Sequence, residues 1–135
     1  MAMRISISAA VLIASVCLLP AAGTAATGSY ICAFSDAYEC ETVTGCRRAS
    51  LHDINIPEFI VVDLDKKQLT GASLTDKHRT EDIEGMTSDD KNIFLHGTQD
   101  KETWNATISL ENGTLTGGIS SGPSSFALFG HCTKK

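Results

Sequence analysis

Four cysteines set the tightest limit on what this chain can become. Cys32, Cys40 and Cys46 fall within fifteen residues, and Cys132 stands near the far end. A fifth, Cys17, sits in a stretch built like an export signal: Arg4 in a short n-region, an apolar run over 5–19, and the small-residue segment AAGTAA after Pro20. The run is shorter than the roughly 20 residues a membrane helix needs, and no basic stop-transfer flank follows it. The expectation is a cleaved signal peptide at 1–26 and no stable membrane span. Cleavage there removes Cys17, and an even set of four cysteines in a short exported chain reads as a disulfide framework.

Metal or redox chemistry is the alternative for such a cluster. Structural zinc ligands come as pairs two to four residues apart; here the intervening gaps are seven, five and eighty-five residues. Neither C-x-x-C nor C-x-x-C-H occurs, so thioredoxin-like exchange and covalent haem attachment lack their motifs. No metal site and no cofactor are expected. Four cysteines admit three pairings. The strand-like segments SYICAF and SFALFGHC favour Cys32 with Cys132, if the first and last strands are neighbours. Cys40 is then left with Cys46. That pair would close a small loop holding Thr42 and Thr44, with Arg47 and Arg48 just beyond it.

Residues 27–135 suffice for a single disulfide-stapled domain with one modest core. Short β-branched or alternating segments follow one another: FIVVDL at 59–64, QLTGAS at 68–73, NIFLHGTQ at 92–99, TWNATISL at 103–110, TLTGGIS at 114–120 and SFALFGHC at 125–132. TEDIEGM at 80–86 is a weak edge-strand candidate, and LTDKHR at 74–79 reads as a loop. In TWNATISL, Trp104, Ala106, Ile108 and Leu110 share one face and polar residues the other, the period of a half-buried strand. Asn112-Gly113 predicts a type I′ hairpin turn, and Ser-Gly-Pro another turn at 121–123. VVDLDKKQLTGAS and TISLENGTLTGGI echo each other, which reads as one hairpin solution used twice. The fold class is all-β, a small antiparallel meander: a closed barrel of seven or eight strands sealed by the terminal disulfide, with a two-sheet sandwich as the alternative.

Charge narrows the partners. With Arg4 set aside, ten basic residues face sixteen acidic ones, so nucleic acid and anionic membranes are poor targets and a cationic protein is a better one. Chemistry is sparse. His52, His78, His96 and His131 are scattered, although His96 and His131 lie on strands that could approach each other. The serines of SSGPSSF do not form G-x-S-x-G. Glu81, Asp82, Glu84, Asp89 and Asp90 match no Ca²⁺ loop and read as solvated. With no catalytic motif, the protein is not expected to be an enzyme. Loops on a rigid frame usually carry binding, which selects Thr42, Thr44, Arg47 and Arg48, and Ser121, Pro123 and Ser124.

The order of Cys32, Cys40 in "EC" and Cys46 in "GC", then INIPEFIVVDLDKKQLTG, IFLHG, Trp104 and the FALFGHCT ending resembles a group of small exported bacterial envelope proteins of uncharacterised function. The resemblance implies a periplasmic or secreted protein with two disulfides, and no activity. The leading expectation is a binding module, such as an inhibitor of a cationic protein. The alternative is a carrier of a small apolar ligand in the barrel, lined by Phe59, Ile93, Leu95, Trp104, Ile108, Phe126 and Leu128.

Overall fold

The structure, a computed structural model, describes residues 25–72 and 79–135. The expected signal peptide as far as residue 24, and the expected LTDKHR loop through residue 78 with its His78, lie outside the described residues. Ten strands follow in chain order: β1 (Ser29–Glu41), β2 (Gly45–Ala49), β3 (Phe59–Asp63), β4 (Gln68–Ala72), β5 (Arg79–Asp82), β6 (Gly85–Ser88), β7 (Asn92–Gln99), β8 (Glu102–Ser109), β9 (Thr114–Ser121) and β10 (Ser124–Lys134). No helix occurs among the described residues.

All strands belong to one antiparallel sheet in the order β5-β4-β3-β1-β10-β9-β8-β7-β6, with β2 paired to β1 off this path. In place of the expected closed barrel of seven or eight strands, the sheet is a strongly curled half-barrel, open between β5 and β6. The two-sheet alternative is not adopted, because one ladder carries every strand. Residues 83–84 link the two end strands directly. Ile83 N–H donates to Lys67 O at 2.8 Å, and Glu84 N–H donates to His96 O at 3.0 Å, so the link touches both ends of the curl.

β1 organises the sheet. It pairs with β10 from Tyr30 to Glu41 on one side, and on the other with β3 over its first residues and β2 over its last. A bulge between Phe34 and Asp36 bends it where the partner changes. At the bend, Phe34 N–H donates to Glu58 O at 3.0 Å and anchors the 50–58 connection. Cys32 and Cys132 are direct cross-strand partners and are disulfide-bonded, as are Cys40 and Cys46.

The two echoing segments form the β3–β4 and β8–β9 hairpins. Lys67 (φ 52°) and Gly113 (φ 76°) occupy the same left-handed position in each. A type I′ turn needs positive φ at both central residues, and Asn112 does not have it. Its side chain instead accepts from Thr114 N–H at 3.0 Å, so the expected I′ turn is replaced by a longer one with the left-handed residue at its end. The lost alternation at Leu110 has the same origin. It lies in this turn and is 42% exposed, not on the buried face.

Inward-facing rows can be read from the register. Ile93, Ile108 and Leu115 stand side by side across β7, β8 and β9, each at most 1% exposed. With Val62, Leu64, Ile83 and the Cys32–Cys132 bridge they fill the end of the cup that carries the β3–β4 and β8–β9 turns. The next row is Leu95, Ala106, Gly117 and Leu128. Two small residues at its centre leave space toward the opposite end.

A hollow end with a polar mouth

That space is a cavity of about 470 Å³, within the usual range for small-molecule sites. Its wall is apolar: Phe34 from β1, Ile60 from β3, Leu69 from β4, Leu115 and Ile119 from β9, and Leu128 from β10. Ile54, Ile56 and Pro57 of the 50–58 connection also face it. This connection holds its own shape by turn bonds, among them Ile56 N–H to Leu51 O at 2.9 Å, and Pro57 packs over Gly71 of β4.

Trp104 lines the cavity from β8. Its indole fits because its cross-strand partner is Gly97, where a Cβ would come within 2.6 Å of Trp104 Cζ2. The fit has a cost: Trp104 Nε1 is buried with no hydrogen-bond partner among the described residues, a penalty of about 1–3 kcal/mol.

The mouth is polar. Arg79 and Glu81 come from β5, and Gln99, Asp100, Lys101 and Glu102 from the β7–β8 hairpin. Glu81 is half-buried there, more so than its neighbour Arg79. It stands directly across the ladder from Leu69, on the face that lines the cavity. Its side chain is 22% exposed against 43% for Arg79, whose Nε lies 3.7 Å from Glu81 Oε1. Burial pushes the Glu81 carboxyl above the ordinary carboxylate range; Arg79 opposes this, Asp100 and Glu102 add to it, and a hydrogen bond with Gln99 works against it.

The loop residues selected from sequence lie together elsewhere. Glu41 pairs with Gly45 on one side and Ser124 on the other, so the β1–β2 and β9–β10 hairpin tips are neighbours. Glu41 ties them: Thr44 Oγ1 donates to Oε2 at 2.9 Å and Ser124 Oγ to Oε1 at 3.4 Å. Thr42 and Pro123 are exposed at the tips. Arg47 is paired with Glu39 at 2.5 Å and Arg48 with Asp36, so both guanidinium groups already have carboxylate partners. Ser121 alone of this set reaches the cavity.

Other expectations need correction. Of the seven residues expected to line an apolar site, only Trp104 and Leu128 do so. Ile93 and Ile108 are packed into the filled end, Leu95 is buried in the row beside it, and Phe59 is 48% exposed on the outer face. His96 and His131 do not approach, because β8 and β9 separate their strands. Asp89 and Glu84 cap backbone N–H groups, Asp89 those of Lys91 and Asn92 and Glu84 that of Thr98, and no metal-ligating cluster exists among the described residues. Glu81 departs from its solvated expectation by facing inward. Sequence reading missed the rest of the lining: Phe34, Ile60, Leu69, Leu115 and Ile119 in the wall, the 50–58 connection, and Glu81 with the other residues of the mouth. For Ile54, Ile56 and Pro57 the available signal was an apolar pair running into a proline within an otherwise polar connection.

No known protein family, curated protein or solved structure matches the chain. The geometry therefore carries the functional argument.

Proposed function

We propose that the protein is a non-catalytic carrier of a small, largely apolar ligand held in the hollow end of the cup. The observation that carries this is the cavity of about 470 Å³, walled by apolar side chains from β1, β3, β4, β9 and β10 and flanked by the 50–58 connection. A well-formed apolar pocket with a few convergent polar groups is the default ligand site of a small domain. The two disulfides suit an oxidising compartment, and with the N-terminal signal they support a periplasmic or secreted location. No helix among the described residues is long and apolar enough to cross a membrane.

Native mass spectrometry of gently purified protein tests the reading. A bound small-molecule adduct that is lost on solvent extraction is expected. An unliganded mass in every preparation, together with no uptake of added long-chain alcohol, would overturn it.

A second reading, a binding module for a cationic protein, is supported by a different observation. The two hairpin tips stand side by side, and Val43 between Thr42 and Thr44 is 95% exposed. Capture of a basic partner from periplasmic extract that fails with Val43→Asp supports it. Capture that is indifferent to Val43→Asp and to changes at Ser121 and Ser124 removes it.

A further inference from the structure

The cavity's polar groups differ in depth and sign, and this bears on what kind of head group an apolar ligand carries. Apolar walls surround most of the space, so a ligand body can enter without leaving polar groups unsatisfied. A carboxylate stands beside the apolar wall: Glu81 is the more buried member of the Arg79–Glu81 pair and pairs with the cavity-lining Leu69 across the β4–β5 ladder. Around it the β7–β8 hairpin contributes Asp100 and Glu102 against Lys101, with Gln99 hydrogen-bonded to Glu81. Among the described residues three carboxylates thus meet two cations at the mouth, and one of those cations, Arg79, is already beside Glu81.

We propose that the ligand is an amphiphile with a protonated amine head, its apolar body in the cup and its ammonium seated against Glu81. This rests on the reading of the cup as a ligand site and specifies its chemistry. An ammonium donates to the Glu81 carboxylate and offsets the negative excess of the described mouth residues. An anionic head would face Glu81, Asp100 and Glu102 and would have to draw Arg79 away from Glu81. Burial leaves the Glu81 carboxyl harder to ionise than usual, and a seated cation supplies the counter-charge that burial removes. A charge-assisted hydrogen bond at a partly desolvated carboxylate is among the stronger polar contacts.

The test uses three chain-matched probes on the oxidised protein at neutral pH, decylamine, decanol and decanoate, followed by calorimetry and the fluorescence of Trp104, the single tryptophan. Decylamine should bind about tenfold tighter than decanol, and decanoate more weakly than decanol. Glu81→Gln should bring decylamine to the level of decanol measured on the same variant. The amine preference should weaken as pH falls and Glu81 protonates. Decanol binding with no gain for the amine overturns the head-group assignment alone, as does a preference that survives Glu81→Gln. The wild-type series decides this even where the variant folds poorly. Failure of all three probes overturns the cup reading and the head-group assignment with it.

Discussion

The two ends of this cup are built by the same strands and behave differently. At one end Ile93, Ile108 and Leu115 meet in a single row and exclude solvent. One row further along, Ala106 and Gly117 occupy the central positions, and one row beyond that Gly97 gives way to the indole of Trp104. The β7–β8 and β8–β9 ladders run unbroken through both ends, so in this part of the sheet side-chain volume decides where it packs on itself and where it stays hollow. A filled end that supplies the core leaves the other end free to stay hollow.

Cross-links obey the same division. Cys32–Cys132 lies buried beside the filled end and joins residues 100 apart, whereas Cys40–Cys46 spans a separation of 6 in an exposed hairpin. In the chain-entropy account, loops of these lengths correspond to roughly 5 and roughly 2 kcal/mol. Replacing Cys32 and Cys132 with alanine should therefore cost more than twice what replacing Cys40 and Cys46 costs, measured by urea denaturation. Equal losses would break the distinction between a cross-link that holds the cup and one that holds a hairpin tip.

Packing provides the next test. Ile108→Ala removes a fully buried side chain from the filled end and should cost about 2–5 kcal/mol. Leu69→Ala lines the cavity, where the site is only partly enclosed, and should cost less than Ile108→Ala. Ala106→Leu adds volume where space exists, so stability should shift by no more than about 1 kcal/mol in either direction while ligand uptake falls. A loss as large as that of Ile108→Ala would mean that the hollow end is already filled.

The smallest expected effect is electrostatic. The Glu81 carboxyl is raised in the folded protein, so the folded state holds its proton more tightly than the unfolded chain. Its contribution to stability is therefore full below the unfolded carboxylate range and is lost as pH rises through the folded value. Glu81→Gln should flatten the stability profile in the window just above the ordinary carboxylate range. An unchanged profile would remove burial as the cause.

Much of the sheet was legible in sequence because its strands keep a strict period of two. NIFLHGTQ matches β7 residue for residue, and the 103–110 reading is one residue out of step with β8. β2 was hidden because GCRRA carries no apolar alternation; its pairing comes from the Cys40–Cys46 bridge and from arginines that meet Glu39 and Asp36 across the hairpin. β5 and β6 are four residues each, too short to show which side faces inward, and Glu81 was therefore grouped with its solvated neighbours. The cavity was illegible for a related reason. Its volume depends on Ala106, Gly117 and Gly97 falling in adjacent rows, and that is a property of register between strands, which no single segment displays.

The division of the cup into a proposed ligand site and a structural core is open to direct measurement. Titrating decanol into the wild-type protein and into Ala106→Leu, read by Trp104 fluorescence, tests it most directly. The account predicts saturable one-to-one binding by the wild type that Ala106→Leu abolishes while remaining folded. Equal binding by both proteins, or no binding by the wild type, would contradict it.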